Sequence, residues 1–127
     1  MFLRKMLPAI ALFGIVAVPA AQAQDAAAGQ RVFNQCRACH VIENNGRNGI
    51  GPNLFGIVGR RAGSIENFRY SANMRQLAEG GLTWDEATLR RYVGNPKEVV
   101  PQGSMAFAGL RNQQQVTDLL AYLAAQK

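Results

Sequence analysis

Apolar residues are arranged differently along different parts of this chain. Between Met6 and Val18 they form an almost unbroken run that Pro19 closes. Near the other end, Val116, Leu119, Leu120 and Leu123 recur at i, i+3, i+4 and i+7, the stripe of an amphipathic helix. Asn112 and Gln115 form a capping-box pattern at its start. Asp25 is a good N-cap for an earlier helix, in which Gly29, Phe33 and Cys36 share one face. A glycine inside a helix costs about 1 kcal/mol relative to alanine, so Gly29 is either tolerated at the surface or required by an element that crosses closely. From Val41 to Gly63 the helical period disappears, and Gly46, Gly49, Gly51, Pro52, Gly56, Gly59 and Gly63 mark a long loop. Loops this long in a small domain are usually functional or wrapped around something. Ser71 predicts the start of a short helix that runs to Glu79 and ends at Gly80-Gly81. Thr83-Trp84-Asp85-Glu86 reads as a capping box with Thr83 at the N-cap, opening a helix through Leu89, Tyr92 and Val93 that stops at Gly94 ahead of Pro96. Pro101 to Gly109 is again loop. These elements predict an all-α single domain of short helices joined by long loops.

The first 23 residues read differently. Arg4 and Lys5 precede the apolar run, which is short for a membrane span of roughly 20 residues, and Ala21-Gln22-Ala23 has the small-x-small pattern of a cleavage site. Residues 1–23 are therefore expected to be a secretory signal peptide and residues 24–127 the exported domain. The exported part carries a net charge of about +4, spread over scattered arginines with no basic run. Nucleic-acid binding is a poor reading of that distribution. A weakly positive face that meets acidic partner proteins fits better.

Cys36-Arg37-Ala38-Cys39-His40 carries the chemistry. Two thiols three positions apart, followed at once by histidine, are the attachment signal of a c-type haem. Each thiol can add to a vinyl group on one edge of the porphyrin, and the adjacent imidazole can bind the iron. His40 is the only histidine, so the fifth ligand is assigned by exclusion and bis-histidine ligation by this chain is ruled out. The methionines beyond residue 23 are Met74 and Met105. Met74 lies in a helical segment, where it serves core packing. Met105 lies on a loop between helices and is the expected sixth ligand. Thioether ligation raises the reduction potential and leaves no open axial position.

The motifs CRACH, GIGPNLFGIVGRRAG (49–63), FRYS (68–71), Trp84, YVGNP (92–96), MAFAG (105–109) and LLAYL (119–123) occur in an order that resembles class I cytochrome c of the bacterial periplasmic and mitochondrial type. The resemblance runs from about Asp25 to Gln126. It implies the cytochrome c fold, with short helices and long loops around one covalently bound haem. It also implies site roles. Pro52 would offer its carbonyl to His40. Arg60, Tyr70 and Trp84 would donate hydrogen bonds toward a buried haem propionate. Tyr92 would bond the Met105 sulfur or its surroundings, and Leu54 and Phe107 would pack on the porphyrin. Gly29 and Phe33 would meet Tyr122 where the first and last helices cross. One loop departs from the mitochondrial-type pattern Pro-Gly-Thr-Lys-Met and reads Pro101-Gln102-Gly103-Ser104-Met105. The missing threonine implies a looser loop, and the missing lysine a thinner basic ring made by Arg37, Lys97 and Arg111.

The expected function is that of a periplasmic, monomeric, monohaem electron carrier. It would shuttle one electron between donor and acceptor enzymes by transient electrostatic docking, with no stable membrane insertion after signal cleavage and no catalysis of its own. A dedicated electron-accepting subunit of one dehydrogenase, or a haem protein that binds gas or peroxide after loss of Met105, are the competing readings. A thiol-disulfide role for the cysteine pair is a more distant one.

Overall fold

A computed structural model describes residues 8–15 and 24–127. Residues 8–15 carry no regular structure, and Ile10, Leu12, Phe13 and Ile15 in them are exposed. The positive start and the cleavage pattern of the expected signal peptide lie outside the described residues.

Among the described residues five helices follow in order: α1 (Ala26–Phe33), α2 (Ala72–Glu79), α3 (Glu86–Gly94), α4 (Pro96–Val99) and α5 (Gln113–Ala125). Among the described residues the only β pairing is an isolated antiparallel bridge between Arg61 and Thr83. The all-α expectation therefore holds, as do the N-caps Asp25, Ser71 and Asn112, whose side chains accept from the backbone N–H of Ala28, Met74 and Gln115. The start of α3 is corrected. Asp85, not Thr83, is its N-cap, and the Asp85 carboxylate accepts from Thr88 N–H at 2.8 Å. The bridge explains the shift. Trp84 N–H donates to the Arg60 carbonyl and Gly59 N–H to the Trp84 carbonyl, both at 2.8 Å, so residues 83–84 are held extended and the helix begins two residues later. The single-turn α4 was not expected. Pro96 opens it, where a missing N–H costs nothing.

The core sits where α1 crosses α5. Phe33, Val116 and Leu119 are fully buried there, and the rings of Phe33 and Tyr122 lie 5.4 Å apart. A Cβ on Gly29 would overlap the backbone carbonyl of Asp118 and come within 2.8 Å of the Tyr122 Cβ. The helix glycine is thus required by the crossing. The Asp118 carboxylate, also buried, accepts from Asp25 N–H at 3.1 Å and from the Gln114 side chain at 2.9 Å, which binds the start of α1 to α5.

The region 41–63 is a loop, as its glycines predict, but a braced one. Leu54 N–H donates to the Val41 carbonyl, and Gly56 N–H to the carbonyl of Gln126 beyond α5. Buried Ile42, Ile57 and Ala62 anchor it to the core.

Candidate cofactor site

The first helix stops at Phe33, and the chain continues through successive tight turns. Cys36 N–H donates to the Phe33 carbonyl at 2.7 Å, and the N–H groups of Cys39 and His40 both donate to the Cys36 carbonyl, at 3.1 and 2.9 Å. Both thiols are therefore carried on one turn. They are free and half-buried. Burial, with Cys39 as a smaller contribution, pushes the Cys36 thiol up to about 11. A pair evolved for thiol-disulfide exchange has its attacking thiol depressed instead, the opposite direction from the shift at Cys36.

His40 Nδ1 lies 2.7 Å from the Pro52 carbonyl oxygen. A carbonyl only accepts, so Nδ1 carries the proton and Nε2 keeps its lone pair for a metal. Burial holds the imidazole pKa below its ordinary value, against the smaller opposing effect of the Pro52 bond, and the neutral ligand form is favoured. A residue that sequence reasoning missed fixes the ring from its side. Gly51 lies so close that a Cβ there would collide with the imidazole. The Gly-Pro step is visible in the sequence, but the resemblance gives a role only to its proline.

Met105 is half-buried in the loop 101–110, and the Tyr92 hydroxyl lies 3.8 Å from its sulfur. Burial pushes the Tyr92 phenol up to about 12, so it remains a donor across the ordinary pH range. The loop is tethered at both ends. Gln102 N–H donates to the Asn73 side chain at 2.8 Å, and Leu110 N–H donates to the Val93 carbonyl at 2.8 Å. Gly109, at φ +108°, packs directly against the Gly94 carbonyl. Met74 packs against the core from α2.

The structure brings Trp84 and Tyr92 together, their rings 4.6 Å apart, and places Trp84 beside Arg60 through the backbone pairing described above. The Arg60 guanidinium donates to the carbonyls of Asn53, at 2.7 Å, and Phe55. Burial lowers its pKa, and Tyr70 acts weakly in the opposite sense. The ion pairs among the described residues do not include Arg60. Its charge is thus partly desolvated and faces only neutral oxygens, which fits a site that receives an acid. The Tyr70 hydroxyl accepts from Ile65 N–H at 3.1 Å and stays free to donate elsewhere. Leu54 and Phe107 are half-buried against the core.

Asn53 is the second residue that sequence reasoning missed. It is buried, and its side chain donates to the carbonyls of Glu43 and Arg47 and accepts from Phe55 N–H, at 2.8–2.9 Å. One amide thus closes the loop that carries Pro52. The sequence showed an asparagine in a glycine-rich loop, and nothing in that pattern distinguishes a buried hub from a surface turn former.

A free thiol pair on one turn, a neutral imidazole with its outer nitrogen available, and a loop thioether held by a phenol are a donor set suited to haem c. The comparisons agree with that chemistry. The family model described as Cytochrome c matches residues 26–127. The chain is 43% identical over 122 residues to cytochrome c2 of Blastochloris viridis, covering 95% of this chain and 92% of that one. It is 44% identical over 120 residues to cytochrome c2 of Rhodomicrobium vannielii, covering 92% and 94%. Among solved structures, cytochrome cH from Methylobacterium extorquens superposes with a TM-score of 0.71 at 40% identity, over 80% of this chain and 98% of that one. Cytochrome c2 from Rhodospirillum centenum gives 0.76 at 30% identity, over 81% and 98%.

The chain belongs to the cytochrome c family, as a class I member. It is a monohaem electron carrier, not an enzyme, and holds one haem c through Cys36 and Cys39.

Proposed function

We propose that residues 24–127 form one exported cytochrome c domain, released near Ala23 into the periplasm, which works as a monomeric shuttle with His40 and Met105 as axial ligands. The observation that carries the ligand assignment is the Tyr92 hydroxyl 3.8 Å from the Met105 sulfur. A packing methionine needs no donor at its sulfur, whereas a ligand thioether gains orientation from one.

Haem c, when bound, supplies a one-electron Fe(II)/Fe(III) couple. The chain's own groups set the terms of that couple. Pro52 holds His40 in the tautomer that presents Nε2. The Met105 thioether favours the reduced metal and so raises the potential. With His40 and Met105 both holding the iron, no place would remain for oxygen or peroxide. Arg60 and Trp84 offer N–H donors to an acid that would otherwise be buried unpaired at a high cost. The short turn through Cys36 and Cys39 and the braced loop 41–56 keep these groups in place through the redox change. Little then rearranges when the electron moves.

The test is optical. Ferric protein should show the weak sulfur-to-iron band at the red limit of the spectrum, and ferrous protein should be indifferent to carbon monoxide at neutral pH. Rapid carbon monoxide binding would overturn the ligand pair. Replacing Cys36 or Cys39 by alanine should weaken or prevent stable attachment, read as haem lost from the chain under denaturing mass spectrometry.

Partner docking on this chain should be only shallowly salt-dependent. Arg37 is paired with Glu43 at 3.2 Å and Arg91 with Glu98 at 3.0 Å, both in exposed positions, so part of the basic surface is already neutralised. Stopped-flow reduction by an acidic redox protein should slow by less than about tenfold between low and physiological salt, over which the screening length falls from about 30 to 8 Å. A steeper fall would show that a strong basic ring exists after all.

A further inference from the structure

The loop that follows CRACH contains two asparagine–glycine steps, Asn45-Gly46 and Asn48-Gly49, and the other asparagines are followed by residues with side chains. In such a step no Cβ shields the glycine nitrogen from the preceding side-chain amide carbon. The two steps are nevertheless in opposite states. Asn45 is exposed. Its Oδ1 accepts from Arg47 N–H at 3.0 Å and, more distantly, from the Asn53 side-chain amide at 3.5 Å. Gly46 has open space around it and a left-handed φ of +68°, and its N–H makes no hydrogen bond among the described residues. Asn48 is half-buried. Its Nδ2 donates to the carbonyl and to Oδ1 of Asn67, at 3.2 and 3.1 Å, and its Oδ1 accepts from Asn53 N–H at 2.9 Å. Gly49 N–H is already spent on the Gly51 carbonyl at 3.0 Å, and Gly49 packs against the Cys39 carbonyl.

We propose that Asn45 is a site of spontaneous deamidation in the folded protein, and that Asn48, three residues away, is protected by its hydrogen bonds. The Gly46 nitrogen gives up its proton to solvent base and bonds to Asn45 Cγ. The Cγ–Nδ2 bond breaks and ammonia leaves, taking a proton from solvent. Water then opens the cyclic imide at either carbonyl to give aspartate or isoaspartate, with no change of oxidation state. The Arg47 N–H and the Asn53 amide point at the oxygen on which negative charge develops during ring closure, and donors so placed lower such a barrier. At position 48 the attacking nitrogen is engaged and the leaving amide is held. Each conversion replaces a neutral side chain by a carboxylate two residues from Glu43, which pairs with Arg37 of the attachment motif. The haem-loaded protein should therefore divide on storage into a parent and an acidic form.

The test is to hold the purified haem-loaded protein at mildly alkaline pH and follow both sites by peptide mass spectrometry. Methyl acceptance at isoaspartate gives a second readout, and a synthetic peptide of residues 41–50 serves as the unstructured reference. Asn45 should convert at least about tenfold faster than Asn48, a ratio in keeping with the worth of a donor at a developing oxyanion. In the peptide the two steps should convert at similar rates. Asn45→Gln should remove the acidic form while the visible spectrum stays unchanged. Equal rates in the folded protein, faster conversion at Asn48, or conversion at Asn45 far below the peptide rate would each overturn the proposal.

Discussion

Replacing Met105 by alanine should leave the haem attached but lower its reduction potential by an amount on the order of 100 mV or more, within the roughly 0.8 V that axial ligands span. The same change should let ferrous protein bind carbon monoxide. The attachment turn is built from bonds among Phe33, Cys36, Cys39 and His40, none of which involves the loop 101–110. The loop, for its part, is held by Asn73 at one end and by Val93 at the other, not by the Met105 side chain. Truncation should therefore open a coordination position without dissolving the structure around it. Tyr92→Phe is the graded companion. It removes the donor at the sulfur but keeps the ring packed against Trp84 at a tilt, so it should shift the potential in the same direction by much less. A spectroelectrochemical titration reads both variants. An unchanged spectrum and potential in Met105→Ala would mean that the sixth ligand lies elsewhere.

The parts of this fold that were legible in the sequence are those in which local chemistry and tertiary need coincide. The stripe Val116, Leu119, Leu120 and Leu123 forms a buried face because the same period that makes it helical also makes it apolar on one side. Asp25, Ser71 and Asn112 cap helices because a short oxygen-bearing side chain satisfies an N–H wherever the chain turns. The start of α3 departs from its local pattern for a reason of the same kind. Thr83 satisfies the local pattern, but a strand-like contact with Arg61, more than twenty positions away, claims it first. Asn53 and Gly51 mark the limit of such reading. Their roles depend on which backbone carbonyls and which ring face meet them after the loop closes, and residue type alone does not encode that. The pairing of Arg60 with loop carbonyls belongs to the same category. Its role toward a cofactor acid was implied by resemblance, while its means of support came from the fold.

Gly29→Ala should destabilise the protein by about 2–3 kcal/mol, the range in which overpacking of a tight contact falls, even though alanine is worth about 1 kcal/mol more than glycine in a helix interior. The sign decides between two accounts of this glycine. If it were merely tolerated, alanine would stabilise α1. In the crossing, the new Cβ would meet the Asp118 carbonyl and lie 2.8 Å from the Tyr122 Cβ. The first obstacle is backbone and cannot rotate away. Separating the helices would disturb the Phe33–Tyr122 contact and the bond from Asp25 N–H to the Asp118 carboxylate, so relief at one point costs packing at another. Gly94→Ala is the control. Its Cβ would find only the Leu110 carbonyl at 3.9 Å, an ordinary contact, and should leave stability unchanged or slightly improved. For a domain of this size the Gly29 variant should melt about 8–24 °C lower, measured by circular dichroism on the haem-loaded protein. If it melts at or above the native temperature, α1 and α5 can part without loss, and the close approach does not specify the glycine.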